Sequence, residues 1–148
     1  MKTSPKKRAY GYGIVLFLIT LSGFGQMPIF SRYYIASIPG LGWLGEFYTT
    51  HILHYLSAFL LIALAVYVLC DFIAQGKKLK QITGSGFVKI GIISGLMISG
   101  GFMVLKNMSG IYLNHAAVIA LDIIHLSLCM ALLAASLYTL VFNKKWMK

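Results

Sequence analysis

Four stretches of this chain are each long enough and apolar enough to cross a lipid bilayer. They cover roughly residues 9–30, 50–74, 86–105 and 116–142. A helix needs about 20 mostly apolar residues to span the hydrocarbon core, so the spacing predicts four transmembrane helices. The chain has 148 residues, which leaves room for one bundle and little else. The expectation is an all-α membrane protein, a single four-transmembrane-helix bundle domain over residues 1–148. The first stretch follows the basic segment MKTSPKKR, as a signal peptide would. Its apolar run is too long for that role, and SGFGQMPIF offers no small-x-small cleavage site. A retained first helix is expected.

Composition agrees. Hydrophobic residues make up 59% of the chain and charged residues 11%, where soluble domains carry about 25% charge. Thirteen Lys and Arg stand against three Asp and Glu. That excess does not signal a nucleic-acid partner, because it falls in short clusters between apolar runs rather than on one patch. The clusters set topology, since short cytoplasmic loops collect Lys and Arg. Lys2, Lys6, Lys7 and Arg8 precede the first helix. Lys77, Lys78 and Lys80 lie between the second and third, with Lys89 just beyond, and Lys144, Lys145 and Lys148 follow the fourth. The two opposite connections hold Arg32 and Lys106. All three clusters agree on an N-in/C-in arrangement.

The outer connection over residues 31–49, SRYYIASIPGLGWLGEFYT, is rich in glycine and aromatics. Tyr33, Tyr34, Trp43, Phe47 and Tyr48 suit the headgroup zone. Two readings stay open for it: an interfacial belt, or a lid or docking surface over a site beneath. The third helix carries Gly91 and Gly95 four residues apart, a small-residue face that admits close packing. Cys70 and Cys129 form no CxxC or CxxCH motif, so neither zinc nor covalently attached haem is encoded. Both read as buried, inert thiols.

The chemistry lies in four histidines, His51, His54, His115 and His125, all on the second and fourth helical regions. Ionisable side chains at membrane depth are costly and mark sites, and imidazole is a common axial ligand of haem iron. Depth follows from counting back from the cytoplasmic helix ends near Gln75 and Asn143 at ~1.5 Å per residue. His54 lies about 31 Å up and His125 about 27 Å, against a core about 30 Å thick. These two form the natural pair of ligands. His51, about 36 Å up, and His115, about 42 Å up, reach the wet interface, where snorkelling into water explains them well. Asp122 sits three residues before His125 and shares its face. It can orient the imidazole through its second ring nitrogen, or serve the protonation of a quinone.

The histidine segments THILHYLSAFLL and HAAVIALDIIHLSL, with Arg8 opening RAYGYGIVLFLITLSGFG, resemble those of the cytochrome b subunits of membrane formate dehydrogenases and nickel-iron hydrogenases. The resemblance covers most of the chain and extends to small four-helix membrane cytochromes b in general. It implies axial haem ligands at His54 and His125 and quinone chemistry in the same bundle. In that family a histidine follows the basic residue of the first helix, whereas here Tyr10, Gly11 and Tyr12 follow Arg8. Deeper second histidines are replaced by Tyr67 and Val68, and by Tyr138 and Thr139. One haem b near the outer face is therefore expected rather than two.

The expected protein is a membrane-anchoring electron-transfer subunit of a bacterial inner membrane, not an enzyme alone. It would link the pool of menaquinone or ubiquinone to an extracytoplasmic cytochrome or iron-sulfur subunit, with His51, His115 and Asp122 as further haem or quinone contacts. The alternatives are a haem-free anchor and a small transporter subunit. Against the latter, no pair of broken helices appears.

Overall fold

The structure, a computed structural model, describes residues 5–145, and of residues 5–7, 30 and 31 the backbone alone. Lys2 and Lys148, counted above toward topology, lie outside the described residues. The chain forms α1 (Pro5–Gly25), α2 (Ile29–Arg32), α3 (Phe47–Ala74), α4 (Gly84–Leu105) and α5 (His115–Val141). Short 3-10 turns fall at Ile35–Ser37, Gly42–Gly45 and Leu79–Gln81. Helices α1, α3, α4 and α5 are long and apolar enough to cross a membrane. The fold is all-α and multi-pass.

Helix α1 stops at Gly25, short of the expected end near residue 30. Pro28 cannot donate to a helical ladder, and the chain tightens into a turn in which Met27 N–H donates to the Phe24 carbonyl at 2.9 Å. Helix α3 starts three residues earlier than expected, at Phe47. Helices α4 and α5 start with side-chain caps that satisfy otherwise orphaned N–H groups. Thr83 accepts from Gly86 N–H, and Asn114 from Ala117 N–H.

The chain divides into two compact units, Met1–Gln75 and Gly76–Lys148. In the first, α1 packs against α3; in the second, α4 packs against α5. Each unit is a helical hairpin. The polarity of a soluble protein is turned round in both. The completely or nearly completely buried side chains include Ser22, Thr50 and Ser57 in the first hairpin and Ser99 in the second. Large apolar side chains such as Phe17, Phe59, Ile98 and Leu137 point outward. Small polar residues let helices approach closely and bond across the seam, while lipid solvates the apolar exterior. Leu61 and Leu132, at 6% and 2% exposure, are buried apolar residues on α3 and α5, and Val15, Leu44 and Ile82 are buried as well.

Cys129 is half-buried, as a packed thiol would be, but Cys70 is exposed, contrary to the expected burial. Within its own hairpin, Cys70 falls on the side of α3 that α1 does not cover. Gly95 abuts Leu128 of α5, where a Cβ would come within 3.1 Å of the leucine methyl. Gly91 has nothing within 4 Å of its Cβ position, so the close approach on α4 centres on Gly95 and not on the pair.

The segment joining α1 to α3 folds onto the end of its own hairpin. Leu44 is 2% exposed and fits beside Gly25, whose Cβ position lies 3.2 Å from the leucine methyl and 2.9 Å from Thr50 Cγ2. Tyr33, Tyr34 and Tyr48 remain exposed. The segment is thus pinned by one leucine and displays its tyrosines.

Candidate functional site

Each hairpin holds one histidine against one serine. In the first, His54 of α3 lies across from the Ser22-Gly23 step of α1. Its Nδ1 is 3.2 Å from Ser22 Oγ and 3.1 Å from the Ile19 carbonyl oxygen. In the second, His125 of α5 lies across from the Ser99-Gly100 step of α4, with Nδ1 2.8 Å from Ser99 Oγ. The glycine provides the room. A Cβ on Gly23 would sit 3.1 Å from His54 Cε1, and one on Gly100 would sit 3.5 Å from His125 Cε1.

The proton positions follow from what each atom can do. A backbone carbonyl only accepts, so the contact to Ile19 requires a proton on His54 Nδ1. Ser22 Oγ donates to the Leu18 carbonyl at 2.7 Å, which leaves its lone pairs to accept from the same Nδ1–H. Ser99 Oγ donates to the Leu96 carbonyl at 3.2 Å. Both of its contacts are satisfied together only when His125 Nδ1 also carries the proton. Each imidazole, when neutral, is then the Nδ1–H tautomer with its lone pair on Nε2, which is the form that binds a metal ion.

The correspondence extends along the helices. Two turns beyond His54 is Leu61, and two turns beyond His125 is Leu132, both buried. One turn before His54 is His51, whose Nδ1 lies 3.2 Å from Gln26 Oε1. Its ring stacks on Phe47 at 5.1 Å between centroids and lies 4.3 Å from Tyr55. One turn before His125 is Asp122, whose Oδ1 accepts from Lys106 Nζ at 2.7 Å. The second ring nitrogen of His125 is thus held by Ser99, and Asp122 is engaged with Lys106. His115 is the first residue of α5 and is exposed.

Polar contacts also brace the hairpins away from the histidines. Arg8, in the second turn of α1, donates to Asp71 Oδ2 at 2.6 Å near the end of α3. Asp71 escaped the sequence reading, although a lone carboxylate in an apolar run calls for a partner. In the second hairpin, Lys89 Nζ donates to Thr139 Oγ1 at 2.6 Å. Thr139 also lines a cavity of about 500 Å³ with Thr83, Ser85, Tyr138 and Lys144.

Ser22 and Ser99 were also missed as site residues. The signal was a Ser-Gly step on the helix preceding each histidine helix, at Ser22-Gly23 and Ser99-Gly100. Among the described residues no three His, Cys, Asp or Glu side chains cluster as a metal cage. A haem iron asks less of the protein, since the porphyrin supplies four donors and the chain only axial ones. Compared with protein-family models, with curated proteins and with solved structures, the chain shows no match.

Proposed function

We propose that this chain is a membrane-anchoring b-type cytochrome subunit of a respiratory redox complex in a bacterial inner membrane. One haem b near the outer face takes its axial imidazoles from His54 and His125. The bound haem supplies one-electron chemistry between the quinone pool, menaquinone or ubiquinone, and an extracytoplasmic cytochrome or iron-sulfur subunit.

The observation that carries this reading is that both histidines have Nδ1 committed to an acceptor within their own hairpin. Ligating histidines almost always donate their other ring N–H in this way, which orients the ring and raises its basicity. Neutral imidazoles already held as Nδ1–H present Nε2 to iron without first losing a proton. Snorkelling side chains at an interface have no reason to be matched by a serine and a glycine on the neighbouring helix. His51, held by Gln26 and flanked by Phe47 and Tyr55, is the stronger candidate contact for a quinone head group. Asp122 with Lys106 and the exposed His115 are available to solvent and to a partner subunit.

The test is a reduced-minus-oxidised visible spectrum of the purified chain, with pyridine haemochrome quantitation. The expected result is a b-type α-band at one haem per chain, lost in both His54→Ala and His125→Ala. A folded chain purified with its native partners and free of haem overturns the reading. It leaves a haem-free membrane anchor that holds its partner through the 31–49 segment.

A further inference from the structure

The two hairpins share a design but not its redundancy. His54 Nδ1 has two acceptors, Ser22 Oγ at 3.2 Å and the Ile19 carbonyl at 3.1 Å. His125 Nδ1 has Ser99 Oγ at 2.8 Å, and no second acceptor for it is seen among the described residues. We infer that Ser99 is the positioning residue that sets the tautomer of His125, whereas His54 keeps its tautomer without Ser22.

A neutral imidazole in an apolar seam puts its N–H where an acceptor waits, because an unsatisfied N–H there loses its hydration without compensation. Ser99 is 5% exposed, so water does not replace it freely. Truncating it to alanine removes the acceptor, and the proton is released to move to Nε2. That tautomer has no lone pair on the nitrogen a metal would use. Truncating Ser22 leaves the Ile19 carbonyl in place. A main-chain oxygen cannot be removed by substitution, so the Nδ1–H form of His54 persists. Gly23 and Gly100 keep their rings where these bonds form, and neither is altered in either variant.

The statement about iron rests on the haem reading above, while the statement about tautomers does not. Two measurements separate them. The first is ¹⁵N NMR of the full-length chain with labelled histidine, produced without haem, in lipid nanodiscs at a pH where imidazole is neutral. Wild type shows His54 and His125 as Nδ1–H forms. Ser99→Ala shifts His125 to a mixture or to Nε2–H, Ser22→Ala leaves His54 unchanged, and Ser99→Thr, which keeps a hydroxyl, restores His125. An Nε2–H form of His125 in wild type, or no change in Ser99→Ala, overturns the inference.

The second measurement is haem titration with the low-spin ferric EPR signal as readout. Ser99→Ala weakens haem affinity about 10–100-fold and moves the largest g-value, while Ser22→Ala does far less. Equal effects of the two variants overturn the inference and leave the cytochrome intact. Wild-type chain that shows the stated tautomers and takes up no haem overturns the cytochrome and leaves the inference standing.

Discussion

The two hairpins solve one problem with different margins. Each seats an imidazole between two apolar helices, with a Ser-Gly step on the first helix and a histidine on the second. In α1–α3 the fit is tight and the hydrogen bonding redundant. In α4–α5 the fit is looser and a single hydroxyl serves. Their bracing differs too. Arg8–Asp71 ties the first hairpin at the end away from His54. Lys106–Asp122 ties the second at the end near His125. Burial of a polar side chain in such a seam is therefore affordable in more than one way, provided that a small residue clears the ring and an acceptor takes its proton.

The correspondence breaks first, if it breaks, at the leucines two turns from each histidine. Leu61→Ala and Leu132→Ala should each cost about 2–5 kcal/mol, measured by reversible unfolding in mixed micelles. A large cost at Leu132 beside a negligible one at Leu61 would mean that only one hairpin has a packed seam. The ion pairs come next. Arg8→Ala removes the guanidinium from Asp71 at a site about a quarter exposed. A loss of about 2 kcal/mol is expected, below the 3–5 kcal/mol of a fully buried pair. Lys106→Ala should cost about 0–1 kcal/mol, because Asp122 is half exposed and water screens the pair. Combining Arg8→Ala with Asp71→Asn should recover much of the larger loss in the same unfolding assay.

The glycines sharpen the comparison at the smallest scale. Gly23→Ala places a Cβ 3.1 Å from His54 Cε1, so the ring must shift. About 1 kcal/mol of overpacking and a perturbed His54 ¹⁵N shift are expected. Gly100→Ala meets His125 at 3.5 Å, an ordinary contact, and should leave the His125 shift unchanged. Equal responses would show that the clearance seen at Gly23 is not used.

Much of this was legible because lipid imposes simple rules. Apolar runs of about 20 residues announce helices whatever their neighbours, and the four spans expected from the pattern agree with α1, α3, α4 and α5 to within a few residues. The largest miss, the end of α1, came from treating Pro28 as part of an apolar run when its missing N–H ends the ladder. The histidines were legible as ionisable residues within apolar helices. Their serine partners were not, since Ser22 and Ser99 look like the ordinary small residues of any membrane helix. Only the approach of the facing helix turns a hydroxyl into an acceptor for one chosen nitrogen.

Hydropathy and length act locally along the chain, so the four long apolar helices could be read from residue order alone. Packing sets which partner each polar side chain meets: Ser22 and Ile19 for His54, Ser99 for His125, Asp71 for Arg8, Lys106 for Asp122. Those pairings depend on rotation and depth where two helices cross. A hydrogen bond tolerates only a few tenths of an ångström and some tens of degrees, a precision that side-chain packing sets and periodicity alone does not encode.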